Sequence, residues 1–160
     1  MGIRVTRTGK KFGDLQITTT ALMREIGEGL LLRIRDRTKK GIGADGRAFR
    51  PLSPLYAAQK QKALGHSRPD LMVSGRMLQD MILSPGPSSL TISFLSGGGR
   101  ATGRTLIQRS RSVGAADKAF WHNISGAGRA RILRPFFDLN PADEQFVVNR
   151  IDAHLTSQTR

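Results

Sequence analysis

The sequence predicts an α+β fold, in which a small antiparallel sheet is packed by a long N-terminal helix and a C-terminal helix, with long loops. Apolar residues recur at helical spacing over residues 21–40 and 141–156, whereas residues 90–94 alternate apolar and polar as in a half-buried strand. The 18 glycines and 7 prolines indicate much loop. We expect a single domain over residues 1–160, because a chain of this length can bury a real core and no internal repeat divides it.

Residues 3–7 and 15–17 are predicted as short strands, and the first helix follows over residues 21–40. Its apolar stripe consists of Leu22, Ile26, Leu30 and Ile34. Basic residues near its C-terminal end suit the helix dipole. Gly27 and Gly29 each weaken a helix interior by about 1 kcal/mol, so we expect a neighbouring backbone to pack closely against them.

The middle of the chain predicts two shorter helices and a strand. Ser53 can cap a helix over residues 54–64 with Pro54 at its first position. Ser74 can cap another, from Gly75 to about Leu83, before the Ser-Pro-Gly-Pro sequence ends it. The strand at residues 90–94 then completes a hydrophobic face.

The C-terminal part begins with a segment rich in glycine and arginine, residues 97–114, which we expect to be a flexible basic loop. Residues 115–122 predict a helix or turn. Asn140 as cap, Pro141 at the first position and acids in the first turn predict a last helix to about Thr156. A frayed tail is expected at residues 157–160.

The chain carries a net charge of +14. Residues 101–134 hold seven basic residues and one acidic residue, whereas residues 135–160 hold two and four. A solvated basic face and a surface that meets DNA or an acidic protein are both consistent with this charge. Arginine dominates, and it pairs well with phosphate and carboxylate. The basic residues that would face DNA or a partner are Arg100, Arg104, Arg109, Arg111, Arg129 and Arg131.

No catalytic, cofactor-binding or metal site is predicted. The absence of cysteine excludes disulfides, thiolate metal sites and cysteine nucleophiles. His66, His122 and His154 are not at metal-ligand spacing and have no paired acid in the sequence. No apolar run of about 18 residues and no signal-peptide pattern is present, so no membrane partner is expected.

Residues 120–140 form the most distinctive stretch, with the single Trp, three of the seven Phe and a Gly-Ala-Gly sequence. We interpret it as a segment that couples the core of the subunit to an oligomer interface. The interface candidates are Trp121, His122, Asn123, Arg134, Pro135, Phe136 and Phe137. His122 and Asn123 are expected to position this segment and not to catalyse. One ring of the Phe136–Phe137 pair should face inward and the other outward, as on a strand.

Four motifs carry a family resemblance. They are D-G-R-A-F-R-P-L-S-P at 45–54, L-M-V-S-G-R-M-L-Q-D at 71–80, H-N-I-S-G at 122–126 and R-P-F-F at 134–137. Over residues 26–155 the chain resembles the phage virion morphogenesis, or tail-completion, family of tailed bacteriophages, best known from Mu-like phages. It departs from the family at Phe120-Trp121, where Tyr-Ala is frequent.

The resemblance implies a structural virion protein at the head–tail junction or the head-proximal end of the tail. Such proteins form rings, commonly six-fold, around the channel through which DNA leaves. The implied partners are copies of the chain, neighbouring neck and tail proteins, and genomic DNA through nonspecific contacts. The implied locations are the virion and, during assembly, the host cytoplasm. A basic protein that binds nucleic acid without sequence preference is the alternative, because the charge alone favours it.

Overall fold

A computed structural model describes residues 18–95, 114–128 and 130–158. The elements in these ranges are α1 (Thr20–Lys39), α2 (Pro54–Leu64), α3 (Arg76–Gln79), β1 (Met81–Pro85), β2 (Leu90–Phe94), α4 (Ala115–Phe120) and α5 (Pro141–Gln158). The α+β class is confirmed. The strands predicted at 3–7 and 15–17 and the basic loop predicted at 97–114, apart from its last residue, lie outside the described residues. No helix in the described ranges has the length and apolar character needed to cross a membrane.

Helix α1 is the central element, as its apolar stripe predicts. The Thr19 hydroxyl accepts the Leu22 N–H at 3.1 Å and so caps the first turn. Ile26, Leu30 and Ile34 are almost fully buried. Both strands and α5 pack against this helix, so α1 links the two parts of the hydrophobic core.

The two glycines of α1 make room for side chains. A Cβ on Gly27 would overlap the methyl groups of Leu83, and a Cβ on Gly29 would overlap the ring of Phe146. Close packing therefore occurs at both glycines, but the predicted neighbouring backbone is wrong. The sheet and α5 approach α1 through large apolar residues, and these need the space that a Cβ would fill.

The sheet is a single antiparallel hairpin, in a register that runs from Met81 opposite Phe94 to Pro85 opposite Leu90. The helix predicted from Gly75 to Leu83 is therefore wrong beyond Gln79. Strand β2 needs hydrogen-bond partners along its backbone, and residues 81–85 provide them. This pairing outweighs the helical spacing of the apolar residues in the same segment.

The core consists of two clusters that meet along α1. The first contains Leu31, Ile34, Phe49, Met77, Leu78, Met81, Ala119 and Phe136. The second contains Leu22, Met23, Ile26 and Leu30, with residues of β2 and α5 packed against it. The first cluster brings together α1, α3 and β1 with the loops around Phe49 and Phe136.

Helix α5 begins where the sequence predicts. Asn140 Oδ1 accepts the Asp143 N–H at 2.8 Å, and Asp143 Oδ2 accepts the Asn140 N–H at 3.2 Å. Asp143 is 1% exposed and forms a 2.6 Å ion pair with Arg37 of α1. This contact ties the two long helices together.

The end of α5 differs from its prediction. The helix continues to Gln158, so residues 157–158 of the predicted frayed tail are helical. Residues 159–160 lie outside the described part of the chain.

Helix α2 is attached mainly through polar contacts. Lys60 is its one buried residue. The Lys60 ammonium pairs with Asp70 and donates to the Arg68 carbonyl at 2.6 Å. These bonds fasten the loop after α2 to the helix, while Leu55 stays 75% exposed.

Candidate functional site

The segment from Trp121 to Phe137 is held to the core by Asn123. Helix α4 continues here into a π-helical turn, Trp121–Ser125. The Asn123 carboxamide donates to the Ala119 carbonyl at 2.8 Å. Its oxygen accepts the N–H groups of Phe136 and Phe137, both at 3.0 Å. Asn123 therefore joins the end of α4 to the Arg-Pro-Phe-Phe sequence.

Arg134 is buried inside the subunit. It is 6% exposed, and its guanidinium donates to the Arg50 carbonyl from two nitrogens, at 3.2 and 3.1 Å. A further bond reaches the Pro51 carbonyl at 3.2 Å, and the Arg134 N–H donates to the His122 carbonyl at 2.8 Å. Within the described residues no carboxylate forms an ion pair with it. Its side chain thus clamps one loop onto another.

Pro135 and Phe136 complete this junction. The Pro135 carbonyl accepts the Ala44 N–H at 2.8 Å. Phe136 is 0% exposed and belongs to the same core cluster as Phe49. Segments 45–54, 122–126 and 134–137, three of the four motifs, therefore meet in one place. The fourth, residues 71–80, contributes Met77 and Leu78 to the same cluster.

Phe137 is partly buried, and its ring lies 4.9 Å from that of Phe94 in an edge-to-face arrangement. The Phe136 ring lies 6.2 Å from the same Phe94 ring. The expectation of one inward and one outward ring is therefore wrong. Residues 136–137 are not in a strand, and the two N–H groups that share the Asn123 oxygen curve the backbone so that both rings meet β2.

Gly126 starts the tight turn that follows the π-helical segment. It has φ +80° and ψ 137°, a conformation that is essentially restricted to glycine. A Cβ would overlap the Arg131 carbonyl. Ala127 and Ile132 exchange two backbone hydrogen bonds, of 3.0 and 3.1 Å, that close the turn. The Gly-Ala-Gly sequence is thus a closed turn on the side of Gly126.

His122 is a weak base. Burial, with a smaller contribution from the nearby Arg134 guanidinium, lowers the pKa of His122 to about 4. Its Nδ1 is buried and has no hydrogen-bond partner among the described residues. The imidazole is therefore uncharged at neutral pH. The backbone carbonyl of His122 accepts the hydrogen bond from the Arg134 N–H.

Beside this junction lies an exposed surface that we call the apolar ridge. It consists of Phe120, Trp121, Ile124 and Leu133, which are 51%, 42%, 67% and 48% exposed. Of these four residues, only Trp121 is an interface candidate predicted from the sequence. A run of apolar residues in and beside a short helix is compatible with burial as well as with exposure. Only the burial of Ala115 and Ala119 shows which face of α4 packs against the core.

A second apolar surface is a groove with a volume of about 410 Å³, between β2 and the start of α5, with α1 as its floor. We call it the apolar groove. Its lining residues are Met23, Ile26, Leu30, Ile34, Leu90, Ile92, Phe137, Asp138, Leu139 and Val147. Asp138 is the only charged residue in this lining. No local pattern in the sequence predicts the groove, because the residues that line its walls are distant from one another in the chain.

The basic candidates are only partly placed. Arg131 is exposed, whereas Arg100, Arg104, Arg109, Arg111 and Arg129 lie outside the described residues. In the described ranges no three His, Asp or Glu side chains are grouped so as to hold a metal ion. No protein-family model, curated protein or solved structure matches this chain.

Proposed function

We propose that this chain is a structural protein of a tailed bacteriophage virion, which forms a ring around the DNA channel at the head–tail junction or the head-proximal tail end. The observation that carries the proposal is the meeting of the motif segments in one junction. Their polar groups are used there to hold backbone, and the apolar ridge beside them stays exposed. The proposed partners are copies of the chain, commonly six in a ring, with neighbouring neck and tail proteins.

The junction supports a scaffold more than an enzyme. Arg134 and Asn123 are the most highly bonded side chains in it, and their partners are main-chain groups. His122, the titratable group with the strongest pKa shift here, is uncharged at neutral pH. Such residues fix the shape of a surface, and a ring subunit needs a surface of fixed shape on its neighbours.

The apolar ridge supports a protein partner. A group of four large apolar side chains, each at least 42% exposed, is costly to leave in water. Aromatic residues such as Trp121 are enriched at the centres of protein interfaces. These side chains stay exposed in the part of the subunit that the structure describes, and a partner in the virion would cover them.

The proposal is tested in a phage that encodes the chain. A deletion should give heads and tails that do not join, and the protein should be found by mass spectrometry in purified wild-type virions. Negative-stain images of the purified protein should show rings. Normal joining in the deletion mutant, together with absence of the protein from virions, would refute the proposal.

A second candidate, a nonspecific nucleic-acid-binding protein, is favoured by the net charge of +14. It predicts micromolar or tighter affinity for duplex DNA at physiological salt, with a steep fall as salt rises. Titration of labelled duplexes of two unrelated sequences across a salt series measures both. Weak binding at physiological salt would exclude this function, while channel contacts inside a virion require only weak affinity.

A further inference from the structure

We infer that the apolar ridge of one copy of the chain seats in the apolar groove of the next copy. The inference rests on the proposed ring and goes beyond it by naming the two surfaces that make the contact. Because a ridge and a groove are different surfaces, the contact is heterologous: each copy gives one and receives one. A heterologous contact that closes on itself produces a ring.

The two surfaces match in shape and polarity. The groove, of about 410 Å³, is large enough for a few side chains. Apart from Asp138, its lining is apolar. The ridge offers an indole, a phenyl ring and two branched aliphatic side chains, which suit such a lining.

Charge supplies the evidence for a second copy as the occupant. Asp138 in the groove and the nearby Glu144 are exposed carboxylates without an ion pair among the described residues. Lys118 and Arg131, which flank the ridge in the sequence, are exposed cations that also lack one there. Asp117, next to Lys118, is an exposed carboxylate, so the ridge flanks carry two cations against one carboxylate. The flanks are therefore basic in balance and the groove edge is acidic, so the two surfaces attract when brought together.

Arg37 does not neutralise the groove edge. Its guanidinium donates to the Asp138 backbone carbonyl at 2.7 Å, but its carboxylate partner is Asp143. Among the described residues, the Asp138 carboxylate itself accepts only the N–H of its neighbour Leu139, at 2.8 Å. No cation in that part of the chain neutralises its charge.

The ridge is held on its own subunit. Asn123, between Trp121 and Ile124, is bonded to Ala119 and to the backbone of residues 136–137. A swing of the ridge into the groove of the same copy would break these three bonds. A neighbouring copy reaches the groove without breaking any.

Cysteine cross-linking tests the contact, because the chain has no cysteine of its own. Ile124→Cys labels the ridge and Leu139→Cys the groove, and both sites are exposed. A disulfide requires Cα atoms within about 7 Å. Oxidation of an equal mixture should give mostly the 124–139 disulfide. A majority of 124–124 or 139–139 products, or no disulfide in the assembled protein, would overturn the inference.

Variants that block one surface test the head-to-tail logic. Trp121→Asp blocks the ridge and Leu139→Asp blocks the groove, and each alone should weaken self-association about ten-fold or more, as for a central interface anchor. Both substitutions introduce a negative charge, so the two blocked surfaces repel each other. Mixed together they should form heterodimers and nothing larger, because only one intact ridge and one intact groove can meet. Leu55→Arg, on exposed α2, is the control and should assemble like the wild type.

The outcomes separate this contact from the proposed function. Mixed variants that stay monomeric, or single variants that still form rings, overturn the contact even when the wild type is found in virions. The contact is also overturned if the wild type stays monomeric at its highest soluble concentration and virions that carry the Ile124→Cys and Leu139→Cys variants give no 124–139 disulfide. Absence from virions refutes the proposed function, whatever the mixing experiment shows. Matching thermal melts establish that each variant is folded.

Discussion

Replacing Asn123 by alanine should destabilise the subunit more than replacing any other polar residue near the ridge that is partly or fully exposed. The carboxamide makes three hydrogen bonds, one to Ala119 and two from the N–H groups of Phe136 and Phe137. Alanine removes all three. It also leaves two backbone donors unsatisfied next to Phe136, whose side chain is fully buried.

The magnitude follows from these bonds. A buried donor left without a partner costs about 1–3 kcal/mol. The surroundings of both N–H groups are partly buried, so water reaches them in part and the lower half of that range applies to each. With about 1 kcal/mol for the lost bond to Ala119, the free energy of unfolding should fall by roughly 3–5 kcal/mol. For a domain of this size the melting temperature should fall by about 6–20 °C.

Circular dichroism melts measure the change, and hydrogen exchange locates it. The amides of Phe136 and Phe137 should exchange faster in Asn123→Ala, while those of α1 change only through global stability. Asn123→Asp keeps the acceptor and loses only the donor, so its loss should be smaller. The control is Asn149→Ala, an exposed site on α5. A fall below about 2 °C in Asn123→Ala would refute the role of this side chain.

Three further predictions concern the turn, the helix junction and pH. Gly126→Ala should destabilise the subunit more than Gly128→Ala, because both glycines have positive φ but only Gly126 has a carbonyl where the Cβ would lie. Urea unfolding compares the free energies of unfolding of the two variants. Asp143→Ala should cost about 3–5 kcal/mol, since it leaves the guanidinium of Arg37 buried without its partner; thermal melts of this variant and of Arg37→Met check it. The pKa of His122 is about 4 in the folded chain and 6.5 in the unfolded chain. Between these two pH values the unfolded chain binds a proton at His122 and the folded chain does not. Stability should therefore fall as the pH falls from about 6.5 to 4, by at most about 3 kcal/mol and less because the ring is partly exposed. Urea unfolding at pH 4.5 and 7.5 should show a smaller fall for His122→Gln than for the wild type; an equal fall would contradict the assignment.

Elements with local signals could be predicted from the sequence. Helix α2 has the bounds that Pro54 at its start and Gly65 after its end predict. Helix α5 begins after Asn140 because cap, proline and acids act within one turn. Strand β1 could not be predicted, because Met81–Pro85 is made a strand by its pairing with β2 and not by its own residues. The pairing of a strand with its neighbour across a turn does not change the spacing of apolar residues within that strand.

The junction was predicted in part. The sequence predicts that Asn123 positions the distinctive stretch at residues 120–140, and the Asn123 carboxamide bonds to Ala119 and to the backbone of Phe136 and Phe137. Arg134 and Phe136 were interface candidates, and the structure places both inside the subunit. Arg134 could not be assigned from the sequence, since its acceptors are the carbonyls of Arg50 and Pro51, and a carbonyl has no side-chain signature.

Arg134 is one of several arginines that bind carbonyls, and this changes what the net charge means. Arg35 donates to the Leu78 carbonyl at 2.9 Å, and Arg37 to the carbonyls of Phe136 and Asp138 at 3.2 and 2.7 Å. A chain with long loops has many carbonyls outside helices and strands, and a guanidinium with five donors satisfies several at once. Part of the net charge of +14 therefore stabilises loops and does not face a partner. The salt dependence of DNA binding counts only cations that reach phosphates. Its slope should thus be below the value that the net charge suggests, because Arg35, Arg37 and Arg134 are engaged inside the subunit.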